Sequence, residues 1–151
     1  MKHILFAASE GVPFIKTGGL ADVVGSLPKC IDRNYFDVRV IMPKYPCMKQ
    51  EMKERMTYVT HFYMDYNFKN EYVGILKSEV EGITFYFIDN EYYFGGMKPY
   101  GDDTLWEITK FAFFSKAVLS ALPVIDFHPE IIHCHDWQTG LIPVYLKERF
   151  Q

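Results

Sequence analysis

Along its 151 residues the chain has no run of lysine or arginine, and its formal charge is −3. Nucleic acids and anionic membrane surfaces select basic stripes or patches, so neither is expected as a partner. No segment approaches the roughly 20 apolar residues of a membrane span. The apolar opening His3–Ala8 falls short of the ~7–15-residue centre of a secretory signal, and Glu10 and Gly11 follow at once. Cysteine is scarce: Cys30, Cys47 and Cys134 stand at unrelated spacings and make neither a disulfide framework nor a Cys-x-x-Cys site. Reduced thiols in a soluble, cytoplasmic protein are the expectation. Also missing are the Walker pattern and the Gly-x-Gly-x-x-Gly fingerprint, so neither of those phosphate-binding mechanisms transfers. Repeats, low-complexity tracts and internal linkers are absent as well.

What is present is globular in character. Hydrophobic residues make up 49% and charged ones 23%, which excludes a disordered chain, and the length suits one domain with a core of its own. Aromatic residues reach 17%. Sugar-binding proteins set aromatic faces against pyranose rings, but Phe111, Phe113 and Phe114 lie inside a helical pattern and belong to the core.

The chain is organised around Lys16-Thr17-Gly18-Gly19-Leu20-Ala21-Asp22-Val23-Val24. Upstream, His3–Ala8 reads as a buried strand. Downstream, Leu20, Val23, Val24 and Leu27 recur at helical spacing, which starts a helix near Gly19. Pro28 is expected to kink or stop it. Two glycines leave backbone N–H groups uncovered by any Cβ and permit the dihedrals of a tight turn. Free amides at the positive end of a helix, with Lys16 beside them, suit a phosphate or a pyrophosphate. The competing reading is that a Gly-Gly turn before a helix is only a turn.

A second strand follows over Asp37–Pro43, and strand, turn, helix, strand is the opening of a Rossmann-like unit. Met48–Met56 reads as one short exposed helix. Thr57–Tyr66 and Tyr72–Leu76 read as two hairpin-like strands inserted before a core strand at Ile83–Asp89, with turns at 67–70 and 81–82. Asn90–Asp103 is expected as a loop. Asp102 or Asp103 then caps a heavily buried helix from Thr104 to Leu122 that stops before Pro123. Ile131–Cys134 is a short strand, and Leu141–Leu146 opens a last helix with Gln151 inside it or just past it. The fold class is therefore α/β: a Rossmann-like, mainly parallel sheet of four or five core strands, with helices on both faces and an inserted β-hairpin.

His133, His135 and Asp136 admit three readings. They are metal-ligand types, though in a single short segment. They also suit a strand end, with Asp capping the next helix and His packed inward. Finally, polar groups at the carboxyl end of a parallel strand point into a substrate crevice.

Three motifs resemble one family. Ser9-Glu10, Pro13, Lys16–Val23 and Leu27-Pro28 look like the N-terminal signature of bacterial glycogen synthases and plant starch synthases. Pro99-Tyr100-x-Asp102 resembles the family's Pro-Tyr-x-Asp loop. His133-x-His135-Asp136-Trp137-x-x-Gly140-Leu141 resembles its second element, with Gln138 and Thr139 in place of one common His-Ala version. The resemblance favours the substrate-crevice reading of His133–Asp136. It implies a retaining glucosyltransferase that passes glucose from ADP-glucose to the non-reducing end of an α-1,4-glucan, with no metal and no cofactor. It places Lys16, Gly18 and Gly19 at the donor phosphates and makes Asp22 the active-site Asp. Glu10, Tyr100, His135 and Asp136 fall to substrate binding. Such chemistry needs electrostatic stabilisation of a leaving diphosphate rather than paired carboxylates at glycosidase spacing.

The resemblance also implies parts not found in residues 1–151: a histidine-asparagine motif and a second Rossmann domain with an Arg/Lys pair and a glutamate. The expectation is an incomplete acceptor-side domain, the N-terminal part of a two-Rossmann-domain (GT-B) enzyme, inactive alone because positioning both substrates needs both walls. Two rival functions are a non-catalytic glucan-binding or interaction module and a related glycosyltransferase with another donor.

Overall fold

The computed structural model of the chain describes residues 1–149. The apolar opening forms β1 (Lys2–Ala7), and the glycine turn leads into α1 (Gly19–Cys30) and then β2 (Phe36–Pro43). A short α2 (Gln50–Glu54) precedes β3 (Thr57–Tyr66), β4 (Lys69–Val80) and β5 (Ile83–Asp89). After them come α3 (Glu91–Phe94), α4 (Thr104–Val124), β6 (Ile131–Cys134), a 3-10 turn at Trp137–Thr139, and α5 (Ile142–Arg149). The expectation for the chain end near Gln151 lies outside the described residues.

One six-stranded sheet has the order β3-β4-β5-β2-β1-β6. The four strands β5, β2, β1 and β6 are parallel, and β4 and β3 extend the sheet antiparallel from the β5 edge. The inserted pair is thus a continuation of the sheet, not a separate layer. Each of its turns has two residues with positive φ: Asn67 (52°) with Phe68 (64°), and Glu81 (50°) with Gly82 (81°). Such turns match the right-handed twist of a hairpin. The first turn is therefore shorter than the four residues expected, and β4 runs longer.

Strand alternation assigns the two faces. Phe14, in the loop before α1, meets Phe85 and Phe87 with ring centroids 5.0 and 4.7 Å apart. Tyr86, between them, points the other way: it accepts from Arg39 Nη1 at 2.7 Å, and Arg39 lies 4.3 Å over the ring of Phe127, just past α4. Helix α1 thus belongs to one face and α4 to the other. Phe111, Phe113 and Phe114 are buried, as core residues should be.

Several boundaries differ from expectation for identifiable reasons. The buried residues of α1 are Ala21, Val24, Gly25 and Pro28, while Val23 (46% exposed) and Leu27 (38%) face outward. The helical period holds but the packed face is turned. Small residues set it, because the 9–18 loop lies directly on Gly25. Pro28 sits within the helix, which ends two residues later at Cys30. In α4, Pro123 is likewise included in the last turn, and Leu105 and Ile108 are exposed rather than buried. Around α2 the charges are solvated, but Met48 and Met52 are buried. Within the expected loop, Asn90 accepts from Tyr92 N (3.0 Å) and Tyr93 N (3.1 Å) and starts α3.

A Cβ on Gly25 would sit 2.3 Å from Val12 Cγ2 and 2.8 Å from the Val12 carbonyl oxygen. Gly25→Ala is expected to destabilise the chain by about 1–3 kcal/mol, a typical overpacking cost. Adding Val12→Ala should recover only part, since the carbonyl contact remains. Denaturant melts of both variants measure this, and a wild-type midpoint for Gly25→Ala would refute the close approach.

Candidate active site at the ends of β1 and β6

Strand β1 has β2 on one side and β6 on the other, so the connections leave its two edges in opposite directions. In open α/β sheets, ligands bind beyond the carboxyl ends of strands at such a switch point. Here the loop after β1 meets the turn after β6. His135 N donates to Ala7 O at 3.1 Å, which carries the β1–β6 ladder to the rim.

The loop after β1 is closed by one buried carboxylate. Glu10, 3% exposed, accepts from Thr17 N at 2.7 Å and from Thr17 Oγ1 at 2.6 Å, both through Oε2. That fixes the entry to α1. Gly18 stands at the N-cap position in ordinary extended backbone (φ −161°, ψ −166°), and no side chain caps the helix. Neither Gly18 nor Gly19 has positive φ. The expected need for special dihedrals is therefore not met. What the glycines supply is clearance: a Cβ on Gly19 would find nothing within 4 Å, and one on Gly18 only Glu10 Oε1 at 4.0 Å. Unshielded amides remain at the positive end of α1. Lys16 Nζ lies beside them, 2.7 Å from Asp22 Oδ2, with both side chains about half exposed.

The 99–102 loop is tied to the same place. Tyr100 OH and Ser9 Oγ share a hydrogen bond of 2.6 Å, and Tyr45 OH donates to Ser9 O at 2.7 Å. The Tyr100 phenol is pushed up to about 12, chiefly by burial, with the Glu10 and Asp136 carboxylates adding to the rise and the Ser9 hydrogen bond opposing it. It stays a neutral hydroxyl throughout the physiological range. Asp103, not Asp102, caps α4, accepting from Trp106 N at 3.2 Å.

Past β6, His135 is buried and stacks on Phe6 at 5.2 Å, and its Nε2 has no hydrogen-bond partner. Burial, then the neighbouring His133, lowers its pKa below 6.5. Asp136 is exposed and has φ 66°, ψ −179°, a region that glycine alone adopts freely. Its Oδ1 accepts from Trp137 N at 2.8 Å, so the capping expectation holds, but for a 3-10 turn. Among the described residues, no group of three or more His, Cys, Asp and Glu side chains is placed to hold a metal ion.

The structure thus gathers Glu10, Lys16, Gly18, Gly19, Asp22, Tyr100, His135 and Asp136 at one end of the sheet. Glu10 is buried and commits Oε2 to Thr17, whereas the exposed Lys16 and Asp22 are paired only with each other. Sequence reasoning missed the linking residues Ser9, Thr17 and Tyr45. It also missed the buried pair Glu107–Lys110, 2.8 Å apart beneath the 99–102 loop. Opposite charges three residues apart on a largely apolar helix were the signal available for that pair.

A family model described as the starch synthase catalytic domain matches residues 3–151. The chain is 65% identical over 153 aligned residues to a glycogen synthase of Lachnospira eligens, covering 99% of the chain and 31% of that protein. It is 64% identical to a glycogen synthase of Lachnoclostridium phytofermentans, covering 100% of the chain and again 31% of the relative. The catalytic domain of starch synthase IV from Arabidopsis thaliana, solved bound to ADP and acarbose, superposes with a TM-score of 0.85 at 31% identity. That match covers 99% of this chain and 30% of the plant chain. The chain therefore spans about a third of the length of these relatives, and it belongs to the starch synthase catalytic domain family.

Proposed function

We propose that the chain supplies the acceptor-side wall of a retaining glucosyltransferase, a glycogen synthase that moves glucose from ADP-glucose to the non-reducing end of an α-1,4-glucan. Residues 1–151 would be part of that wall's Rossmann-like domain, with the nucleotide-sugar domain elsewhere in a protein of the relatives' length. The observation that carries this is the uncapped α1 N-terminus with Lys16, open toward a rim of Tyr100, His135 and Asp136. Family membership and a plant relative that holds ADP and acarbose support it.

The chemistry follows from the charges. Surface ion pairs contribute only about 0–1 kcal/mol, so a diphosphate can draw Lys16 from Asp22 at little cost. The ammonium and the α1 amides then face the charge that grows on the leaving diphosphate. Asp22, released, stands as a free carboxylate near the anomeric carbon, where positive charge develops. Neutral His135 and the Tyr100 hydroxyl offer hydrogen bonds to sugar hydroxyls. The exposed free thiols Cys30 and Cys47 suit the reducing cytoplasm, and among the described residues no helix is long and apolar enough to cross a membrane.

In the transferase that contains this chain, Lys16→Ala should lower kcat and kcat/KM together, by ~10²–10³ in kcat. Pure ground-state phosphate binding would instead raise KM alone. Lys16→Arg should rescue in part, because a planar fork does not reproduce a compact point charge. Steady-state kinetics with varied ADP-glucose tests this, and wild-type values for Lys16→Ala would end the donor-phosphate assignment.

His135 makes a pH prediction. Its folded pKa lies below its unfolded value, so its contribution to stability is complete above about pH 6.5 and is lost as pH falls through the folded pKa. An NMR titration of the ring should give a midpoint below 6.5, and His135→Gln should flatten the fall in melting temperature between about pH 7.5 and about pH 5.5. A midpoint at or above 6.5 contradicts the buried neutral imidazole.

A further inference from the structure

The 99–102 loop reaches the crevice without secondary structure of its own: α3 ends at Phe94 and α4 begins at Thr104. Among the described residues, no backbone hydrogen bond joins residues 96–101 to another backbone group. Side chains hold the loop instead. On the crevice side Tyr100 OH shares its hydrogen bond with Ser9 Oγ, and on the α4 side Lys110 Nζ donates to Pro99 O at 2.7 Å.

Lysine is an unusual donor for this place. Lys110 is 4% exposed and is followed on α4 by Phe111, Ala112, Phe113 and Phe114, all buried. Glu107, also buried, lies one turn back with Oε2 2.8 Å from Nζ. That contact is an ion pair without an aligned hydrogen bond, since neither Glu107 oxygen accepts one. The directed bond of the ammonium goes to Pro99. Nζ also stands 4.9 Å from the centroid of Phe111, whose ring meets that of Tyr100 at 6.0 Å. A buried ion pair gives a protein no more stability than well-packed apolar residues of similar volume, and often less. Such residues would fill α4 equally well, but they could not hold a loop carbonyl. What the charges add is a fixed point for Pro99, one residue from Tyr100.

We propose that Lys110 is a positioning residue of the transferase: held by Glu107, its ammonium pins the Pro99 carbonyl and so sets the Tyr100 hydroxyl at the rim of the crevice. In this role neither Lys110 nor Glu107 touches substrate, and both act through Tyr100. The inference rests on the reading of Tyr100 as a sugar-binding hydroxyl and extends it to the groups behind. The burial that keeps the phenol neutral depends on the same clamp.

Replacing the pair as a whole tests this without stranding a charge. Glu107→Leu combined with Lys110→Met should leave the melting temperature near that of the wild type. In the transferase that contains this chain it should still lower kcat/KM about tenfold, the effect of losing one neutral hydrogen bond. Tyr100→Phe should lower kcat/KM by a similar factor. All three changes together should again give about tenfold rather than about a hundredfold, because clamp and hydroxyl act as one unit.

A second measurement needs no turnover. The phenol carbon of Tyr100, followed by carbon-13 NMR and assigned by its absence in Tyr100→Phe, should not move in the wild type up to about pH 10.5. In the pair variant it should titrate at about 10, as a free phenol does. If the apolar pair does not fold, Lys110→Gln, neutral and one bond shorter, takes its place in the same titration. With Tyr100→Phe impaired as expected, wild-type kcat/KM in the pair variant, an unmoved Tyr100 signal, or losses that multiply would each make the pair merely structural and overturn the proposal. Wild-type kinetics in Tyr100→Phe itself would refute the sugar-binding reading, and the carbon-13 titration then decides the clamp alone.

Discussion

The site depends on one buried carboxylate. Glu10 leaves β1 into the interior and takes both donors of Thr17 through a single oxygen, at 2.7 and 2.6 Å. Hydrogen bonds to an ionised acceptor are about twice as strong as neutral ones, and a buried charge without them would be expensive. The six residues between are thereby closed into a compact loop that lies on α1 at Gly25. Phe14 anchors the same loop to Phe85 and Phe87. The α1 N-terminus is held against the sheet by these contacts rather than by a cap of its own. A capping side chain would occupy the space that a ligand needs.

Asp136 shows a different expense at the opposite wall. A non-glycine residue at φ 66°, ψ −179° costs about 1–3 kcal/mol and persists only where the surroundings over-determine it. They do so here: His135 N is bound to Ala7 O, and Thr139 Oγ1 donates to His135 O at 3.0 Å. Between those anchors the backbone has little choice, and the Asp136 side chain is delivered to the rim. Strain at this position accords with a residue kept for its reach rather than for stability.

Much of this was legible in the sequence, and the rest failed for physical reasons. Strands β1, β2, β3, β5 and β6 declare themselves through apolar or β-branched runs bounded by turn residues. The parallel order follows from strands alternating with helices. Phase proved less readable than period. Leu20, Val23, Val24 and Leu27 announce a helix, but which side of α1 packs was set by the approach of Val12 to Gly25, a tertiary contact that propensity cannot see. Helix α3 was invisible because four residues have no periodicity; only the capping type of Asn90 hinted at it. The positions of Lys16, Tyr100 and Asp136 came from motifs. Their convergence needed the strand order, and the links through Ser9 and Thr17 needed the coordinates.

The pairing of charges divides the site into two mechanical halves. Glu10 is locked to Thr17, and Glu107 with Lys110 is buried; removing one partner of such a group strands the other in a low dielectric. These pairs hold this wall of the crevice in a single geometry. Lys16 and Asp22 form the opposite kind of pair, half exposed, solvated and cheap to break. A ligand phosphate can therefore exchange with Asp22 for Lys16 without disturbing the wall behind it. Preorganisation lies with the buried pairs, which are already ordered by the protein itself. Adaptability lies with the exposed Lys16–Asp22 pair, which an anion can rearrange at little cost.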